Sequence, residues 1–188
     1  MCIRDSAKKA DTVLLCLGLD ELRESEGLDR ADMALAENQQ QLLAAVAAVN
    51  PNVVVLLSAG APVETPWVGQ CRALVYGALG GQAGAGAAAD ILTGKLCPCG
   101  KLSQTWAQAH DDTPAKANFG GEGRNVEYRE GLYVGYRYYQ TAGVKPAFPF
   151  GYGLSYTTFE YSGLKADETG VTLSLIHISE PTRPLYIS

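Results

Sequence analysis

Between Glu21 and Arg30 the chain reads ELRESEGLDR, which sets four carboxylates (Glu21, Glu24, Glu26, Asp29) beside two guanidinium groups (Arg23, Arg30). Acid–base and nucleophilic chemistry on a bond to oxygen needs carboxyl groups in two states, one ionised and one protonated. Taken alone, a charged loop is more often solvated surface than a site, so its weight depends on what positions it. Two other clusters invite a chemical reading. Cys97 and Cys99 form a CPC triplet, but a zinc site wants four ligands at workable spacing, and the histidines are His110 and His177. The triplet therefore reads as a loop with two incidental thiols. Gly80 to Gly86, GGQAGAG, lacks the glycine spacing of a dinucleotide loop, and no acidic ribose partner sits a strand later. Close packing of a helix on a sheet is the simpler reading of its small residues.

The elements around the charged loop place it. Thr12 to Leu19, TVLLCLGL, is a short apolar run predicted as a strand buried on both faces, and the charged loop follows its C-terminal end, where sites in open α/β sheets lie. Leu35, Leu42, Leu43, Val46 and Val49 recur at helical spacing until Asn50-Pro51 stops the helix. Asn52 to Ser58 is β-branched and apolar, and Ala73 to Tyr76 is a shorter strand. Ala83 to Leu92 is predicted helical, with Gly94 to end it, and Lys101 to Trp106 is a further possible strand. The order predicts an α/β fold: a layered sandwich with a mostly parallel sheet. After Gln108 the chain turns rich in Gly, Pro and Tyr with few helical signals, which predicts a long irregular tail packed on a neighbour.

Length and composition bound the rest. The chain has 188 residues, 47% hydrophobic and 19% charged, which fits one globular domain. A net charge of -5 with no basic block excludes an electrostatic nucleic-acid footprint. No apolar run approaches the roughly 20 residues of a membrane-spanning helix, and MCIRDSAKKADT lacks the apolar core of a signal peptide. Five cysteines, an odd number, fit free thiols and mildly favour reducing surroundings, cytoplasmic ones included; the compartment itself stays unknown.

Both ends read as foreign. Met1 to Ser6, MCIRDS, back-translates into the mosaic end of a transposon used to prepare sequencing libraries, and Leu173 to Arg183, LSLIHISEPTR, into its reverse complement running on into an adapter tail. The competing reading is that TLSLIHIS is a genuine strand, since its apolar and polar residues alternate. The expected organisation is an adapter-like segment at 1–6, an N-terminally truncated α/β domain at 7–164, the start of a linker to a following domain at 165–172, and a second adapter-like segment at 173–188.

Several blocks in order, ESEGLDR, AENQQQLLAAVAAVNPN, VVVLLSAGAPVETPW, GKLSQTW, EYREGLYVGYRYY and PAFPFGYGLSYTTFEYS, resemble the C-terminal α/β sandwich domain of glycoside hydrolase family 3, the β-glucosidase-like enzymes. Together they cover nearly all of Ala7 to Leu164. The resemblance implies a fragment of a retaining β-glycosidase that hydrolyses terminal non-reducing β-linked sugars. An aspartate from a preceding (β/α)8-type barrel, outside this chain, would attack the sugar, and a glutamate from this domain would protonate the leaving oxygen. The EGLDR block assigns that general acid/base to Glu26, with Glu24 as its local rival and Asp29 and Arg30 as residues that hold the loop. Retaining hydrolysis places the two carboxyl groups about 5 to 5.5 Å apart and needs no cofactor and no metal. The implied partners are a β-linked glycoside and the barrel, with neither nucleic acid nor membrane, and the chain alone would be inactive. The chain departs from the family's pattern at Ala36, at Ser103 and Gln104 and in the CPC triplet, none of which touches Glu26. Tyr128, Tyr133, Tyr136, Tyr138 and Tyr139 are assigned to packing rather than to sugar stacking, and substrate-binding residues stay unassigned. Two other functions compete: a non-catalytic, carbohydrate-facing or interdomain α/β module, and an N-acetylglucosaminidase of the same family.

Overall fold

Runs of β-branched and leucine residues form the two main strands, Val13–Gly18 and Val53–Ser58, and the intervening helix Glu37–Ala47 carries the apolar stripe that covers them. The computed structural model describes residues 2–121 and 123–177. In chain order its elements are α1 (Ile3–Lys9), β1 (Val13–Gly18), α2 (Glu37–Ala47), β2 (Val53–Ser58), β3 (Ala73–Tyr76), α3 (Gly84–Leu92), α4 (Tyr136–Ala142), β4 (Phe159–Asp167) and β5 (Gly170–His177). Short 3-10 turns occur at Val68–Gln70, Gly81–Ala83 and His110–Asp112. The α/β sandwich read from the sequence is the fold observed, with a parallel sheet in the order β1-β2-β3.

The chain divides into two compact units. The first comprises residues up to Gly84 together with Leu102–Gly151. In its parallel sheet Val13 pairs with Val53 and Gly18 with Ser58, while Val54 pairs with Ala73 and Leu57 with Tyr76. Leu15 and Leu17 of β1, Val53, Val55 and Leu57 of β2, and Leu43 and Val46 of α2 belong to one buried cluster with Leu35, Val63, Trp67 and Trp106. Each such side chain, moved out of water, contributes roughly 1.5–3 kcal/mol. Asn50 ties the end of α1 to the turn before β2: its side-chain amide donates to the Ala7 and Ala10 carbonyls at 2.8 and 2.7 Å, and its oxygen accepts from the Asn52 amide at 2.7 Å.

Three sequence expectations are corrected in this unit. β1 is buried on one face only, because Leu14 is 47% exposed and Cys16 is also exposed, while Leu15 and Leu17 on the alternate face are buried. Lys101 to Trp106 forms no strand. Its strand-like pairing among the described residues is an isolated antiparallel bridge, in which the Trp106 amide donates to Phe148 and the Ala147 amide to Trp106, both at 2.8 Å, and the Gly151 amide donates to the Leu102 carbonyl at 2.8 Å. The tail is not irregular throughout, since α4 runs between Gly135 and Gly143, whose φ angles of 55° and 67° give the entry and exit bends.

The second unit comprises Ala85–Lys101, with most of α3, and the chain from Tyr152 on. The Tyr156 hydroxyl donates to the Ile91 carbonyl at 2.8 Å, Lys101 donates to the Gly153 carbonyl, and Cys97 Sγ lies 3.0 Å from Ser155 Oγ. β4 and β5 form an antiparallel hairpin with a register shift between Ser162 and Lys165. Residues 165–172, expected as the start of a linker, lie at the turn end of this hairpin. Of the adapter-like segment 173–188, residues 173–177 lie in β5 and residues 178–188 fall outside the described residues. The adapter-like residues Ile3–Ser6 lie in α1.

Candidate active-site loop

The loop between β1 and α2 begins at a close approach of two strands. A Cβ on Gly18 would run into the Ser58 carbonyl oxygen, so only glycine fits there. The side-chain amide of Gln39, in the first turn of α2, accepts the Gly18 N–H at 2.9 Å and donates to the Gly18 carbonyl at 2.8 Å. Leu19 N–H then reaches the Ser58 carbonyl at 3.1 Å. The strand end is thus fixed to both β2 and α2 before the charged residues start.

Within the loop, Asp20 Oδ1 accepts the Leu22 and Arg23 amides at 3.2 and 3.0 Å, an Asx-type turn. Arg23 donates to Asp32 and to the Ala34 carbonyl, each at 3.2 Å, tying the first half of the loop to the second. Ser25 to Leu28 forms a β-turn closed by Leu28 N–H to the Ser25 carbonyl at 3.4 Å, with φ +82° at Gly27 in the third position. A positive φ at that position is what a type II turn demands and what glycine supplies. Glu26 occupies the second position, at the corner, and is exposed. Its carboxylate has no hydrogen bond or ion pair among the described residues.

Glu24 is the opposite case. Its carboxylate accepts the Gly60 amide, 2.9 Å from each oxygen, and the Ala61 amide at 2.8 Å. Arg30 reaches the same segment and donates to the Pro62 carbonyl at 3.1 Å, while its buried Nη2 has no partner among the described residues. From the other side the Tyr76 hydroxyl donates to the Ala59 carbonyl at 2.8 Å. Burial, and secondarily the Glu24 charge, push the Tyr76 phenol above its ordinary value. The Tyr76 ring meets Trp106 edge-on at 4.9 Å between centroids.

The structure therefore separates the two glutamates that the sequence left as rivals: one is bound to backbone amides and the other is free at a turn corner. Asp29 is exposed, and among the described residues only Arg30 of the pair expected to hold the loop makes a tie. Gln39, Gly18 and Tyr76 went unread in the sequence. The Gln39 contact spans 21 residues and the Tyr76 contact 17, with no local signature. Among the described residues no cluster of three His, Cys, Asp or Glu side chains could hold a metal ion.

Comparison with known proteins gives the loop a context. Residues 3–156 match the profile described as glycosyl hydrolase family 3 C-terminal domain. The chain is 47% identical over 177 residues to thermostable beta-glucosidase B of Acetivibrio thermocellus, covering 94% of this chain and 23% of that protein. It is 44% identical over 174 residues to an exo-alpha-(1->6)-L-arabinopyranosidase of Bifidobacterium breve, covering 92% and 23%. Its fold is similar to that of a crystal structure of a Bifidobacterium adolescentis GH3 beta-glucosidase, with a TM-score of 0.89 and 45% identity over 92% of this chain and 27% of the other. A Kluyveromyces marxianus beta-glucosidase in complex with glucose gives a TM-score of 0.82 at 44% identity, covering 87% and 20%. The chain thus spans about a quarter of the length of its relatives.

Proposed function

The chain belongs to glycosyl hydrolase family 3 as its C-terminal domain, and on that premise we propose that Glu26 is the general acid/base of a retaining glycosidase whose nucleophile lies outside this chain. The observation that carries the reading is the contrast in the loop. Glu24 has its oxygens occupied by three N–H contacts, whereas Glu26 stands free at the corner of a turn past the C-terminal end of β1.

The chemistry follows from that position. A carboxylic acid at Glu26 would donate its proton to the glycosidic oxygen as the bond to the anomeric carbon breaks. An aspartate from a preceding barrel would take up the sugar as a covalent ester. The Glu26 carboxylate would then remove a proton from water as that water displaces the ester. A carboxyl group serves as the acid when it is enclosed beside a second, ionised carboxylate. In this chain Glu26 is open to solvent, so the enclosing surface and the nucleophile come from elsewhere, and the chain alone is expected to turn over no glycoside.

Relatives with two different names bear on the substrate. The first is called a beta-glucosidase and the second an exo-alpha-(1->6)-L-arabinopyranosidase. An α-L-arabinopyranoside and a β-D-glucoside in the same chair both present an equatorial leaving oxygen, so the proposed substrate class is a terminal pyranoside with that geometry.

The test is the pH dependence of kcat/KM in the full-length enzyme. Glu26→Gln should abolish the alkaline limb that reports loss of the acid's proton. Persistence of that limb would assign the acid to another group. The solvent exposure of Glu26 also suits a second reading, a non-catalytic interdomain module, under which Glu26→Gln would leave kcat/KM unchanged at every pH.

A further inference from the structure

The segment after β2 is a fixed platform on which the Glu26 turn is mounted. Tyr76 holds the Ala59 carbonyl, Glu24 takes the Gly60 and Ala61 amides, and Arg30 holds the Pro62 carbonyl. The ties from Glu24 and Arg30 fall on either side of the Ser25–Leu28 turn. Both end within three consecutive residues, Gly60 to Pro62. Glu26 thus sits on a short bridge with both feet on one strand end.

We propose that Glu24 is the positioning residue for Glu26, fixing where the acid stands through its grip on the Gly60 and Ala61 amides, with Arg30 as the second foot. The proposal rests on the reading of Glu26 as the acid/base. Its physical basis is the hydrogen-bond inventory. An ionised carboxylate is acceptor-only and can take several N–H donors, whereas a glutamine amide would turn an N–H group toward an N–H donor and break part of the grip. An aspartate, one methylene shorter, would pull the bridge toward the strand. Space is limited as well, since a Cβ on Gly60 would lie 2.9 Å from Leu79 Cδ1 and 3.3 Å from Glu24 Oε1.

The test uses the full-length enzyme and two aryl glycosides, one with a poor leaving group and one with 2,4-dinitrophenolate. A displaced acid lowers kcat/KM, which reports the bond-breaking step, only where the leaving group needs a proton. Glu24→Gln should therefore lower kcat/KM about 10- to 100-fold on the poor leaving group, with little change in kcat/KM on the dinitrophenyl substrate. Arg30→Gln, which removes the second foot, should show the same leaving-group signature to a smaller extent. Because the second variant leaves the Glu24 grip intact, a folding failure of the first does not end the test. If Glu26→Ala is rescued by azide while the Glu24 and Arg30 variants keep wild-type leaving-group dependence, positioning fails and the acid/base reading stands. If azide rescues Glu24→Ala and not Glu26→Ala, Glu24 is itself the acid/base and both readings fall.

Discussion

Gln39 and Gly18 exchange two hydrogen bonds through the glutamine side chain, the glycine amide donating at 2.9 Å and the glutamine amide donating back at 2.8 Å. This mimics one rung of a sheet ladder at a strand end where, among the described residues, no further strand supplies it, and it sets the direction in which the Glu26 loop leaves β1. Gln39→Ala should cost about 1–3 kcal/mol, the loss of two part-buried bonds. Equilibrium unfolding in urea measures this, and an unchanged midpoint would show that the clamp contributes nothing.

Gly27 has φ +82°, and a Cβ placed there would meet nothing within 4 Å. Gly27→Ala therefore isolates backbone strain from steric clash. Its expected cost is roughly 1–2 kcal/mol if the turn keeps its shape. In the full-length enzyme, activity on poor leaving groups should fall further than stability does, because relaxation of the turn moves Glu26. Equal activity of the alanine variant on both classes of leaving group would count against the turn as the acid's support.

Tyr76 sets an alkaline limit. Burial and then the Glu24 charge raise its folded-state pKa, so the folded protein prefers the neutral phenol. The unfolded chain ionises near pH 10 while the folded chain does not, so the stabilisation present below that pH is lost as pH rises through the folded pKa. Tyr76→Phe should flatten this decline and should also cost about 1 kcal/mol at neutral pH through the lost bond to Ala59. Unfolding free energies at several pH values check both effects. A decline of the same steepness in the phenylalanine variant would contradict the assignment.

The cysteines should differ in reactivity. The Ser155 hydroxyl, and then the Tyr156 amide, lower the Cys97 thiol pKa, whereas burial raises that of Cys71. Iodoacetamide should therefore label Cys97 before Cys71 at neutral pH, and Ser155→Ala should move the Cys97 rate profile to higher pH. Mass-spectrometric mapping over time decides this, and equal labelling of the two sites would contradict it.

How much of the molecule was legible in its sequence depended on the range of the forces involved. β3 is found at the short apolar run where the sequence places it, and β1, β2, α2 and α3 match to within a few residues, because apolar runs and helical spacing are written locally. α4 was hidden: YRYYQTA reads as an aromatic tail, and the glycines that bend the chain at each of its ends look like loop residues. The exposed face of β1 was equally invisible, since Leu14 and Cys16 are as apolar as the buried Leu15 and Leu17. In the site, the charged loop past the end of β1 was legible, and the turn at Gly27 was not. The division of labour between Glu24 and Glu26 rests on amides 36 and 37 residues away in Gly60 and Ala61, which no local pattern encodes.

The central claim, that Glu26 and not Glu24 is the proton-transferring group, is tested most directly by azide rescue of Glu26→Ala in the full-length enzyme with 2,4-dinitrophenyl β-glucoside. Loss of the general acid/base should slow hydrolysis of poor leaving groups about 10²- to 10⁴-fold. On the activated substrate, azide should restore turnover and yield the β-glycosyl azide, because a small anion needs no general base to attack the glycosyl-enzyme. Full activity of Glu26→Ala on poor leaving groups, or no azide product, would contradict the account.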